Sequence, residues 1–376
     1  MNILFSPAKI GGLEIPNRFV RSATYDGGAD KGGFVSDWQI ELYSALAKGQ
    51  VGLIVSGVFN INIVGKISPG QNSLTDDKFI PGLQRLAEAV HAHGSKLAVQ
   101  LFHGGREAFR RQLLLGREAV APSGLKTGED CYFEGTCREM AEEEIWATVD
   151  AFGQAGRRVQ EAGCDAIQVH GAHAYLLSQF LSPHSNHRVD KWGGTLENRL
   201  KLHKEIYQAA RGQVGPDYPV MIKLGVADGF PGGLEFQEGL EAAVYLADLG
   251  YNSIEVSQGL RGADYEQTEF RTKIIKRGKE AYFREWAGQV KRRVDVSVMM
   301  VGGLRSLSLM EEIVAANEAD FISLSRPLIR EPDIIAAWRA GKSRHVTCVS
   351  CNKCFDHLQT GARLQCMVQT KRKRER

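Results

Sequence analysis

CDAIQVHG, residues 164–171 of a 376-residue chain, is a short, mostly apolar run that ends in a histidine and a glycine. Near-continuous apolar character over so few residues is what a parallel strand buried on both faces requires. Seven other runs share it: FVRSAT from Phe19, VGLIVSG from Val51, KLAVQLF from Lys96, PVMIKLG from Pro219, SIEVSQG from Ser253, SVMMVGG from Ser297 and FISLSR from Phe321. Helical stretches lie between them. SDWQIELYSALAKG offers Ser36 as an N-cap and stops at Gly49, and EEEIWATVDAFGQAGRRVQEAG has acids in its first turn and stops at Gly163. LENRLKLHKEIYQAA, LEFQEGLEAAVYLADLG and LSLMEEIVAANEA have the same periodicity.

Eight strand–helix units predict an α/β fold, a (β/α)8 TIM barrel over residues 1–341, with a short C-terminal cysteine-rich extension over residues 342–376. A doubly wound sheet is the alternative, but no GxGxxG follows the first strand. Two segments, residues 102–141 and 259–281, are too long for simple loops. Both follow strand C-terminal ends, so they are expected over the active-site face.

Hydrophobic residues make up 43% of the chain, enough for a full core, and the net charge of +3 is too small to imply nucleic acid. The basic tail KRKRER, residues 371–376, reads as a solvated end. No basic-then-apolar leader opens the chain, and no apolar run reaches the ~20 residues of a membrane span. A cytoplasmic protein is expected, a homo-oligomer acting on a small molecule without nucleic-acid or membrane partners.

In such a barrel the chemistry sits where strands end. The first strand delivers Ser22, Ala23, Thr24 and Tyr25, the second Gly57, and the third Gln100. Gly302-Gly303 and Ser325-Arg326 close the seventh and eighth, the usual phosphate position of this fold. There glycine amides, a helix N-terminus and a forked guanidinium suit a phosphate. Lys223 is an anomaly inside a buried strand. It needs an anion, and a cofactor that turns negative on reduction would supply one. Gln100 can bond the edge of the same ring. After strand four come His170 and His173, able as neutral imidazoles to hold a carbonyl or carboxylate oxygen, and Tyr175, a phenol able to protonate a carbanion. A metal on the two histidines ranks low, since no Asp or Cys stands at ligand spacing.

HGAHAYLLSQFLSPHSNHRVDKWGGTLENRLKL, residues 170–202, resembles the signature of the old yellow enzyme family of FMN-dependent oxidoreductases. PNRFVRSATYDGG, VQLFHGGR, VGGLRS and ISLSRPLIREP resemble its other blocks in order, so the likeness spans residues 2–339. The resemblance implies FMN along Ser22, Ala23, Thr24 and Tyr25, with Gly57, Gln100 and Lys223 at its ring. It implies the phosphate at Gly303, Ser325 and Arg326. It also implies NAD(P)H as reductant, a substrate oxygen on His170 and His173, proton donation by Tyr175, and ene-reduction of an α,β-unsaturated carbonyl or acyl compound. Two positions depart from the family: Tyr25 stands where a small Thr or Cys is common, and Lys223 stands for an arginine.

CVSCNKC followed by Cys366 is the other motif: three thiols spaced Cys-x2-Cys-x2-Cys and a distant fourth. Cys348, Cys351, Cys354 and Cys366 suit a [4Fe–4S] cluster, and a four-cysteine zinc is the weaker alternative because zinc sites usually pair two Cys-x2-Cys arms. The arrangement is similar to that of the family's iron–sulfur branch, which includes trimethylamine dehydrogenase and bacterial 2,4-dienoyl-CoA reductase. There it passes electrons to a downstream flavin domain. With ten residues after Cys366, an electron-transfer partner protein is expected here, and an iron–sulfur subunit serving such a partner is one alternative function. Amine dehydrogenation is the other. Trimethylamine dehydrogenase has a tyrosine where His170 stands, so the histidine favours carbonyl binding. Cys131, Cys137 and Cys164 read as ordinary thiols, the first two with a place at the substrate mouth as the alternative.

Overall fold

The computed structural model describes residues 2–342 and 345–369. Eight parallel strands close into a barrel: β1 (Phe19–Arg21), β2 (Leu53–Asn60), β3 (Lys96–Phe102), β4 (Ala166–Gly171), β5 (Val220–Gly225), β6 (Ser253–Ser257), β7 (Ser297–Met300) and β8 (Phe321–Leu324). Neighbours in sequence are neighbours in the sheet, and β8 pairs with β1 to complete the circle. Each predicted run holds a strand, with ends shifted by a few residues. Strand β2 runs past its predicted end, on to Asn60.

The helices follow from local signals. Helix α1 (Asp37–Lys48) starts with a capping box in which the Ser36 hydroxyl accepts the Gln39 amide N–H and the Gln39 side chain accepts the Ser36 N–H. Helices α2 (Ile80–His91), α3 (Glu142–Glu161), α4 (Leu196–Val214), α5 (Phe236–Leu249), α6 (Arg284–Lys291), α7 (Leu307–Ala315) and α8 (Ile334–Arg339) complete the outer ring. Gly250 ends α5 in the left-handed conformation. Among the described residues no helix is long and apolar enough to cross a membrane.

An inner core of Val20, Leu53, Val55, Ala98, Ala166, Met221, Met299 and Phe321 fills the barrel's lower half, and Ile10 and Ile15 from an N-terminal hairpin (Ala8–Ile10, Leu13–Ile15) plug it from below. This leaves the C-terminal ends of the strands as the open face.

Beyond α8 the extension folds back over that face. The Arg305 guanidinium donates to the Val346 carbonyl at 2.8 Å, the Leu364 N–H donates to the Asp26 carbonyl at 2.8 Å, and Phe355 stacks on Phe270 with centroids 5.1 Å apart. The basic run at residues 371–376 lies outside the described residues.

Helix α5 approaches the barrel so closely that a Cβ on Gly239 would lie 1.8 Å from the Val226 carbonyl oxygen, whereas one on Gly212 in α4 would meet nothing within 4 Å. Gly239→Ala is expected to cost about 1–3 kcal/mol in urea unfolding, and Gly212→Ala to gain up to about 1 kcal/mol. Equal midpoints for the two variants would contradict this packing.

Candidate active site

The strand register builds the site floor. Gln100 pairs with Gln168 across β3 and β4, His170 with Lys223 across β4 and β5, and Lys223 with Glu255 across β5 and β6. These side chains form one buried polar chain. The Lys223 ammonium lies 3.1 Å from the Glu255 carboxylate and donates to Ser22 Oγ at 2.7 Å, while Ser22 donates to Glu255 at 2.7 Å. Gln168 donates to Glu255 at 3.0 Å, and Gln100 donates to Gln168 at 2.8 Å. Lys223 and Glu255 are 2% and 0% exposed, so each needs the other. The anion that Lys223 requires is thus supplied by the protein. Glu255 was legible as the same anomaly, a charge within a buried run, but its partnership depends on register.

Above this floor opens a cavity of about 930 Å³. Of the residues expected there, Ser22, Ala23, Thr24, Tyr25, Gln100, His170, His173, Tyr175, Lys223, Gly303, Ser325 and Arg326 all line it. Gly57 does not. The ladder between β2 and β3 slips between Val55 and Val58, and this irregularity re-aims Gly57. Its N–H donates to the Tyr43 hydroxyl at 2.7 Å and its Cα faces the Thr24 carbonyl. Asp26 anchors the loop after β1, accepting from Gly28 N–H and Gln39 Nε2 at 2.8 Å each, so the cap of α1 also fixes Tyr25.

At the phosphate position Gly302 and Gly303 have φ of 127° and 70°, and the Tyr282 ring packs within about 3 Å of where a Cβ would stand, so both conformation and space require glycine. Thr24 and Ser325 hydroxyls lie 2.8 Å apart beside them. The Arg305 and Ser306 amides both donate to the Glu280 carboxylate, at 2.7 and 2.8 Å. Arg326 lines the cavity but also donates to the Arg271 carbonyl at 2.7 Å and to Asn352 of the extension at 2.6 Å. The glycines, hydroxyls and guanidinium at one end, with the polar chain at the other, fit a phosphorylated flavin.

The catalytic candidates converge. The His170 and His173 rings are 5.0 Å apart and perpendicular, and Tyr175 lies 5.1 Å from His170. His173 and Ala174 have φ of 62° and 64°, left-handed conformations that turn the chain from β4 into the site. Burial holds both imidazoles well below the usual histidine range, so they are neutral, and the charge of Lys223 adds to the effect. His173 Nε2 lies 2.8 Å from Ser257 Oγ, whereas His170 Nδ1 is buried without a hydrogen-bond partner among the described residues. Burial pushes the Tyr175 phenol up.

Both long excursions overhang the site, bringing Glu107, Tyr132 and Phe133 from one and Arg261, Glu269 and Phe270 from the other. Sequence reading placed the segments but not these residues. Cys131 is exposed, Cys137 is buried against the Ser123 carbonyl, and neither lines the cavity.

Cys348, Cys351, Cys354 and Cys366 line a second, small cavity of about 20 Å³ together with Arg326, Ile329 and Arg330, and Cys348 and Cys354 also touch the large one. Among the described residues no three His, Cys, Asp or Glu side chains are gathered closely enough to hold one metal ion. This corrects the expectation of an assembled ligand set. Arg330 donates to Cys366 Sγ at 3.5 Å.

Residues 3–344 match the profile of the NADH:flavin oxidoreductase / NADH oxidase family, and the chain belongs to it. It is an oxidoreductase, and flavin and nicotinamide chemistry are that family's. Over 380 residues it is 35% identical to a metal reductase of Desulforamulus reducens, covering 100% of this chain and 54% of that protein. It is 33% identical over 390 residues to cinnamate reductase of Clostridium sporogenes, covering 97% and 57%. The structure of 2-naphthoyl-CoA reductase with 2-naphthoyl-CoA superposes with a TM-score of 0.89 at 30% identity, over 97% of this chain and 56% of that one. The chain therefore spans about half the length of these relatives.

Glu255→Leu strands a buried ammonium and is expected to cost about 3–5 kcal/mol in urea unfolding. Adding Lys223→Met should recover most of that loss. A double variant as unstable as the single one would show that the pair is not the coupled unit described.

Proposed function

We propose that the chain is an FMN-dependent ene-reductase, driven by NAD(P)H and acting on an activated alkene, an α,β-unsaturated carbonyl or acyl compound. The observation that carries the reading is the meeting of two neutral buried imidazoles and one phenol over a polar, charge-balanced, amide-lined floor in a single cavity. Cinnamate reductase and 2-naphthoyl-CoA reductase, both named as reductases of unsaturated acyl compounds, support the substrate class.

FMN, when bound, supplies the hydride. Ser22, Ala23, Thr24, Tyr25, Gln100 and Lys223 hold its ring, and Gly303, Ser325 and Arg326 hold its phosphate. His170 and His173 receive the substrate's carbonyl oxygen. A neutral imidazole donates to an oxygen as negative charge grows on it, at no cost from an opposing proton equilibrium. Tyr175 then gives its proton to the α-carbon. Cys348, Cys351, Cys354 and Cys366 would hold a [4Fe–4S] cluster at the edge of the same cavity, and that cluster would supply one-electron exchange with a partner protein. The barrel at residues 1–341 and the extension at 342–376 work as one unit, because the extension supplies part of the cavity wall.

Tyr175→Phe is expected to leave NAD(P)H oxidation by a quinone within about twofold of the parent while slowing alkene reduction about 10²–10⁴-fold, read by stopped-flow of each half-reaction. Equal loss in both would remove Tyr175 as donor. Purified without oxygen, the protein is expected to show flavin absorption, a broad shoulder near ~400 nm and about four irons per chain. Zinc in place of iron would refute the cluster.

A further inference from the structure

Arg261, on the excursion after β6, is unassigned by the reading above. Its guanidinium lies over the Tyr175 ring, 5.4 Å from the centroid, and over Phe270 at 5.6 Å. A fork of bonds to Glu269 fixes it there: Nε at 3.0 and 3.1 Å from the two carboxylate oxygens, and Nη2 at 2.7 Å. Nη1 stands 3.9 Å from Glu107. The phenol ring is held as firmly, by Phe102 edge-on at 4.5 Å and by His170. A cation is thus locked against the one ring in the cavity that the proposed reaction asks to give up a proton.

We propose that Arg261 is the positioning residue that makes Tyr175 a competent acid, by taking up the negative charge the phenol keeps when its proton leaves. The inference rests on Tyr175 being the donor. In the step, the Tyr175 O–H bond breaks and its electron pair stays on the phenolate oxygen. The α-carbon forms its new C–H bond with the electron pair released when the β-carbon accepts hydride from reduced FMN, and water later restores the phenol proton. A desolvated phenolate is costly, and a guanidinium held within about 6 Å is the compensation available. The other groups facing the phenol work against ionisation or are neutral. Glu269 and Glu107 oppose it, His170 is neutral, and Tyr25 lines the same cavity. Glu269 also lies 3.8 Å from His173 Nδ1, so the carboxylate that holds the cation over the donor stands beside an imidazole proposed for the substrate oxygen.

The test is a titration on flavin-loaded protein in which Tyr175 is replaced by 3,5-difluorotyrosine, whose lower intrinsic pKa brings ionisation into the stable pH range, read by ¹⁹F NMR. Arg261→Gln is expected to raise the apparent pKa by about one to three units, with the alkaline shift of the alkene-reduction pH profile following it, whereas Arg261→Lys stays within about half a unit because the charge remains. Glu107→Gln, which touches the pair only at its rim, is expected to move the phenol the opposite way, downward. An unmoved phenol in Arg261→Gln overturns the proposal, as does an unmoved phenol in Glu107→Gln should the arginine variants fail to fold by circular dichroism. If Tyr175→Phe reduces alkenes at full rate while the titration behaves as expected, the donor assignment has failed and the electrostatic pairing stands.

Discussion

The ion pair between Lys223 and Glu255 is the constraint around which the upper barrel is arranged. Two opposite charges in adjacent strands, both cut off from water, are stable only when geometry and surrounding bonds satisfy every remaining donor and acceptor. Ser22 from β1, Gln168 from β4 and Gln100 from β3 complete that set. The chain of bonds therefore links strands on opposite sides of the barrel. A one-residue slip of β5 against β6 would turn Lys223 and Glu255 away from each other, so the pair also specifies register. The cavity above inherits a rigid floor carrying balanced charge.

Much of the fold was legible because a parallel barrel demands a repeated local pattern, and each apolar run carried it. The site was legible to the extent that strand ends identify residues by position, which covers Ser22 to Tyr25, Gln100, His170, His173, Tyr175 and the pair Ser325 and Arg326. What escaped depends on non-local geometry. The slipped ladder in β2 leaves no local signature, so Gly57 looked available. Glu280 comes from the excursion after β6, so its hold on the Arg305 and Ser306 amides just ahead of α7 is invisible before folding. Arg261, Glu269 and Glu107 lie on irregular excursions, where no periodicity indicates which side chains turn inward.

The excursions and the extension divide the labour of enclosing the site. The former supply charged and aromatic groups above His170 and Tyr175. The latter meets the opposite end, where Arg326, lining the cavity with the glycine turn after β7, donates to Asn352 between Cys351 and Cys354. A single guanidinium thereby belongs both to the phosphate end of the cavity and to the ring of thiols. Any displacement of the extension would be felt at both.

Barrel closure has a temporal side. The Ser22 N–H donates to the Leu324 carbonyl, and Thr24 meets Ser325 across 301 positions of sequence. The ring of strands is therefore closed by a contact between the first strand and the last. Ordering so distant a pair carries a large loop-closure entropy, and such topologies fold slowly. On a ribosome, a nascent chain that has not yet released its eighth strand has the histidines and the tyrosine but no closed barrel around them. Capacity to hold a large cofactor is acquired late in synthesis, in one step, when the ring of strands shuts.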